Sequence, residues 1–285
     1  MYITIGKLYA EGAGMTYGRD PQGNQSNPNQ YQQQYGQQYT QQSYAQQPIM
    51  NAQTVYSYDT VQQASRTSIT RAYGEMALGL LVTAVVALIS QATGALEAYM
   101  SATGTIGWII MAVVQVGLAV SLGARIMKMK PSTARLMFYA YAALMGFTLS
   151  SLFWAYNAST IIITLGFCAA FYFALTMFAL TTKVNMLKAG PILMVGLVVL
   201  IISQIVLMFI APSATTLRVV AGIGVVLFAL MTVYDAQRTR ALFAQFASQG
   251  PEMIKRISIL CALSLYLDFV NLFLYLLQLF GVSDN

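Results

Sequence analysis

Histidine is absent from this 285-residue chain, and charged residues make up only 8% of it. The first absence removes the side chain that ordinarily titrates near neutrality, so any proton sensing falls to carboxylates. The second excludes an ordinary soluble domain, in which roughly 25% of residues are charged. Cysteine is scarce as well. Cys168 and Cys261 lie inside or at the edge of apolar runs and read as small buried hydrophobes, not as a disulfide or a metal pair. No catalytic nucleophile, phosphate loop or metal-ligand spacing occurs, so the reading is of a non-enzyme without a cofactor. The net charge of +6 leaves no nucleic-acid footprint, because most Lys and Arg flank apolar runs, where they set membrane topology.

What the chain has in abundance is apolar surface, with 57% hydrophobic residues. From Tyr73 onward, apolar runs of about 20 residues, the length that crosses a bilayer core, recur between short polar breaks. Seven are predicted, at about 76–92, 106–126, 136–156, 160–182, 189–211, 217–236 and 257–281. Inside a bilayer every backbone group must be paired internally, and long unbroken apolar runs satisfy that as helices. The fold class is an all-α integral membrane protein, a seven-transmembrane-helix bundle spanning 66–285.

Residues 1–65 differ. From about 16 they are rich in Gln, Tyr, Asn, Ser, Gly and Pro, with almost no aliphatic residues to build a core, and they read as a disordered cytoplasmic tail. The first 14 residues lack the basic start and long apolar run of a cleavable signal, and Met15 reads as an alternative initiator.

The breaks set an orientation. Arg66 and Arg71 precede the first run; Arg125, Lys128, Lys130 and Arg135 surround the second break; Lys183 and Lys188 lie in the fourth. Arg238, Arg240, Lys255 and Arg256 bracket the sixth, whereas the alternate breaks hold only Arg218. The positive-inside rule then puts the N-terminus in the cytoplasm and the C-terminus outside.

The residues that stand out are acids at membrane depth, where a carboxylate is expensive. Asp268 lies mid-way along the last run, on a stripe with Ser264, Asn271, Tyr275 and Gln278 at spacings of 4, 3, 4 and 3. That stripe should face a cavity, with Ser264, Asn271, Tyr275 and Gln278 as pathway-lining candidates; the plainer alternative is hydrogen bonding between packed helices. Asp235 ends the sixth run. It meets Asp268 if the sixth helix continues past Gln237 into Leu242 and Phe243; otherwise it is a water-exposed acid beside Arg238 at i+3. Two carboxylates brought together in a low-dielectric site would share a proton, forming a pH sensor and gate, and would offer oxygen ligands for a transient calcium contact. Arg125 is a candidate counter-ion, or only a topology marker. Glu75 is an interfacial acid, and Gln115 and Gln204 need partners on neighbouring helices.

Four segments carry a family likeness: Ala-Leu-Ser-Leu-Tyr-Leu-Asp-Phe-Val-Asn-Leu-Phe-Leu-Tyr-Leu-Leu-Gln-Leu-Phe-Gly at 262–281, Val-Tyr-Asp-Ala-Gln at 233–237, Gly-Phe-Thr-Leu-Ser-Ser at 146–151 and Thr-Thr-Lys at 181–183. Together they resemble the Bax inhibitor family, most closely its bacterial members. The resemblance implies a bundle around a central C-terminal helix, in the bacterial inner membrane. It also implies a proton-regulated calcium leak in which aspartates matching Asp235 and Asp268 bond in a closed state and loosen on protonation. In some members an arginine near the end of the second helix, here near Arg125, pairs with them. The family also includes proteins tied to cell-death suppression and to a membrane quality-control protease, so a non-conducting regulator of another membrane complex is the alternative function. An intramembrane aspartyl protease fits least, because Asp268 follows Leu-Tyr-Leu instead of Gly-x-Gly and no Pro-Ala-Leu follows. The partners expected are the lipid bilayer, calcium or another cation, and a membrane protease.

Overall fold

The computed structural model describes residues 58–210 and 213–281, and among these it is helical with no strand. The tail at 1–57 and the alternative start at Met15 lie outside the described residues. Nine α-helices follow in order: α1 Tyr58–Thr93, α2 Ala95–Thr103, α3 Thr105–Arg125, α4 Pro131–Leu149, α5 Leu152–Ala155, α6 Ala158–Thr181, α7 Gly190–Phe209, α8 Ala214–Phe246 and α9 Pro251–Gly281. Short 3-10 turns at Met186–Ala189 and Ala247–Gln249 precede α7 and α9. Seven segments are long and apolar enough to cross a membrane: Ile69–Thr93, Thr105–Arg125, Pro131–Ala155, Ala158–Thr181, Met186–Leu207, Ala214–Gln249 and Pro251–Gly281.

Local chemistry sets several ends. Pro131 and Pro191 open α4 and α7 at positions where a missing N–H costs nothing. The Ser213 hydroxyl accepts from the Thr216 N–H and caps α8. Gly94 and Gly104, both at positive φ, bracket α2.

Two ends depart from the apolar runs. Helix α1 begins at Tyr58, eight residues inside the segment assigned to the tail. Helix α8 runs to Phe246, ten residues past the end of the sixth apolar run. Polar residues interrupt hydropathy there, but they pair with one another and with neighbouring backbone, so the helix continues. At 1.5 Å per residue its 33 residues extend about 50 Å, well beyond an apolar core of about 30 Å.

Burial locates the centre. In the most apolar window of α9, 83% of residues are buried, against 17% to 33% for the other six segments. Helices α8, α1, α6 and α4 pack around it, while α3 leans mainly on α4 and α7 on α8. The outward flanks of α3 and α7 expose Ile109, Val113, Val116, Val195, Val199 and Ile202, as expected of surfaces turned to lipid.

Small residues let the inner helices approach. A Cβ on Gly146 of α4 would strike the Thr83 carbonyl of α1, so no side chain fits there. One on Gly224 of α8 would sit 2.5 Å from the Tyr275 ring, which lies in that notch.

Candidate functional site

Asp235 and Asp268 are 1% and 0% exposed, on the two helices that pack most extensively, α8 and α9. The extension of α8 through Leu242 and Phe243 is what buries Asp235, since both of those residues pack with Ala72, Ile257 and Cys261. The alternative of a water-exposed acid is therefore corrected, although its other half holds: Arg238 does stand beside Asp235.

That arginine is the residue the sequence reading undervalued. Arg238 is only 5% exposed, and its Nη1 donates to the Asp235 Oδ1 at 3.5 Å. A guanidinium stays charged at any relevant pH, so a fixed positive charge sits beside Asp235. Arg125, the candidate counter-ion, is exposed at the end of α3 and makes no ion pair among the described residues. The i+3 spacing from Asp235 was the available signal for Arg238; its burial depends on the packing of α8 against α9.

Other helices complete the surroundings. Tyr73 of α1 and Tyr172 of α6 each lie within electrostatic range of both Asp235 and Asp268. The Tyr172 hydroxyl donates to the Leu265 carbonyl at 3.1 Å, and Tyr73 faces Thr176. Thr239 faces the Cys261 thiol. A cavity of about 10 Å³, the threshold for one water, is lined by Asp235, Arg238, Thr239, Cys261 and Ser264. Tyr73, Tyr172 and Thr239 carried no mark in the sequence, because their roles depend on which helices become neighbours.

The rest of the stripe divides. Ser264, one turn before Asp268, shares the small cavity with Asp235. The Asn271 amide donates to the Leu267 carbonyl of its own helix at 2.7 Å. Tyr275 stacks on Phe228, and its hydroxyl accepts from Gln204 of α7 at 3.2 Å. Asn271 and Tyr275 thus make contacts within and between helices, the plainer of the two roles expected of the stripe. Gln278 is half-buried near the far end of α9.

A second polar cluster holds α1 to α4. Glu75, buried, pairs with Arg135 at 2.5 Å and accepts from the Tyr139 hydroxyl at 2.7 Å. Gln115 of α3 reaches α4, donating to the Leu144 carbonyl at 3.1 Å and the Thr148 hydroxyl at 2.9 Å. Among the described residues no group of three or more Cys, Asp or Glu could hold a metal ion.

The family profile described as "Inhibitor of apoptosis-promoting Bax1" matches residues 65–285. The chain belongs to the Bax inhibitor family. The inner membrane protein YbhL of Escherichia coli strain K12 is 34% identical over 216 residues, covering 76% of this chain and 92% of its own length. Uncharacterized proteins of Borreliella burgdorferi, 32% identical over 75% of this chain and 91% of its own, and Rickettsia prowazekii, 31% identical over 78% and 92%, are similar too. With its seven membrane-length helices this member is a multi-pass membrane protein, and the match begins after most of the Gln-rich segment.

Proposed function

We propose that this Bax inhibitor family member is a pH-regulated leak for calcium or another cation, with Asp235 and Asp268 as its proton-sensing gate. The observation that carries the reading is the burial of both acids on the packed pair α8 and α9, with the buried Arg238 beside Asp235. A carboxylate at that depth is a costly choice for packing alone, and it changes charge when it takes a proton. With the acids ionised, the positive charge of Arg238 on α8 attracts Asp268 on α9 as well as Asp235 on its own helix, and the way is closed. Proton uptake weakens that attraction and leaves the most buried helix of the bundle free to shift against its neighbours. The cavity between Asp235 and Ser264 marks where a polar route would start. Carboxylate oxygens are ligands suited to calcium passing through.

The inner-membrane location of the E. coli relative supports the same membrane for this chain. The basic breaks support a cytoplasmic N-terminus and an outer C-terminus. The reading is of a transport protein and not an enzyme.

Purified protein in liposomes loaded with a calcium dye should leak faster at about pH 6 than at about pH 8, and Asp268→Asn should flatten that difference. Equal flux at both pH values with intact protein would reject the leak. It would favour instead a non-conducting regulator of another membrane complex, such as a membrane-bound protease.

A further inference from the structure

We propose that the groove between the α6–α7 connection and α8 binds the phosphate headgroup of an anionic phospholipid. This site is separate from the acids and does not depend on the leak reading. The groove encloses about 440 Å³, within the range of small-molecule sites, and its polar lining comes from Thr182, Asn185, Gln237 and Arg240.

Its walls are held in place. The Gln237 side chain accepts from the Met186 N–H at 2.8 Å and donates to the carbonyls of Val184 at 2.8 Å and Ala179 at 3.3 Å. The connection is thereby pinned to α8. Arg240 donates one N–H to the Leu180 carbonyl at 3.1 Å while remaining exposed, which fixes its guanidinium on the groove wall with further donors for an anion.

Charge selects the sign of the occupant. Lys183 and Lys188 are exposed on the same connection. No acidic residue occurs between Glu97 and Asp235, and none between Asp235 and Glu252; Asp235 itself is buried against Arg238. The groove lining therefore carries a cation, Arg240, and no carboxylate among the described residues.

Position and flanks select a lipid. The groove lies where α6 ends and α7 begins, so it sits at the ends of two membrane-length helices, the level at which headgroups lie. Val184 of the lining is exposed, as are Phe178 near the end of α6 and Ile192 early in α7, which leaves apolar surface for acyl chains on the elements that form the groove. A basic pocket with an apolar skirt at that height matches an anionic amphiphile.

Native mass spectrometry of the full chain in micelles holding equal phosphatidylglycerol and phosphatidylcholine would test this. Retention of phosphatidylglycerol over phosphatidylcholine by about fivefold is expected, the effect of roughly one cationic contact. Arg240→Gln should abolish the preference. Because Arg240 also holds Leu180, the double variant Lys183→Gln with Lys188→Gln provides an arm that leaves that bond intact, and it should reduce the preference too. Lys128→Gln with Lys130→Gln, which neutralises exposed cations outside the groove, should leave it unchanged. Equal retention of both lipids overturns the proposal, as does a preference that survives both groove variants. A preference lost equally in the Lys128 and Lys130 variant would reduce it to the general basic end of the bundle. Thermal stabilisation by inorganic phosphate alone equal to that by phosphatidylglycerol would assign the groove to free phosphate and also reject the lipid.

Discussion

Tyr266 and Asp268 stand two residues apart on α9, both fully buried, and they face opposite kinds of surroundings. On the Tyr266 face the contacts are neutral and closely fitted. The Tyr266 and Thr83 hydroxyls bond at 2.7 Å, and Thr83 Oγ1 also lies 2.9 Å from the Ala142 carbonyl and 3.0 Å from its own Gly79 carbonyl. Phe138 and Tyr141 meet the Tyr266 ring edge-on, and Gly146 lets α4 close on α1 at the same level. The Asp268 face instead gathers two acids, a guanidinium, two tyrosines and a small cavity. One face clamps α9 to α1 and α4; the other packs against α8 with ionisable groups buried at the contact. The contrast suggests that any movement of the bundle is hinged on the α1–α4 side and released on the α8 side.

The largest effect that tests this comparison is expected on the charged face. Arg238→Gln leaves a buried carboxylate without its guanidinium, a loss of roughly 3–5 kcal/mol in comparable buried pairs. Thermal unfolding should show it, and adding Asp235→Asn should restore a large part. If the double variant is no more stable than the single one, the unpaired carboxylate is not the source of the loss.

On the neutral face, Thr83→Val leaves the Tyr266 hydroxyl buried without its partner and should cost about 1–3 kcal/mol. Tyr266→Phe, which also removes the stranded group, should cost less, about 1 kcal/mol. Neither should alter the pH dependence of calcium-dye leak, and a change as large as that of Asp268→Asn would abolish the distinction between the faces. Smallest of all, Arg125→Gln should shift stability by no more than about 0.5 kcal/mol, because the side chain is exposed. A large effect there would return the counter-ion role to Arg125.

Legibility followed the range of the forces involved. The seven crossings could be read because each is a local property, an apolar length set against bilayer thickness. The prominence of Asp268 was equally local, a costly group in an apolar run. The length of α8 was hidden because Asp235, Gln237, Arg238 and Arg240 look like a helix end when only hydropathy is weighed. Their partners are distant: Gln237 and Arg240 bond the backbone at Ala179, Leu180, Val184 and Met186. The surroundings of Asn271 and Tyr275 were hidden for a related reason. A polar stripe records which side chains share a face, but not whether a neighbour's Gly224 opens a notch for one of them.

By itself the sequence determined that this is a helical membrane protein, how many crossings it has, and that an acid is buried in the last, since apolar length and charge scarcity act on each segment separately. Tertiary structure alone decided that Arg238 is buried with Asp235 while Arg125 stays exposed, that Tyr73 and Tyr172 come within electrostatic range of both acids, and that α9 is enclosed by its neighbours. Those outcomes come from close packing, in which a missing Cβ at Gly146 lets α4 approach α1 and one at Gly224 admits the Tyr275 ring against α8.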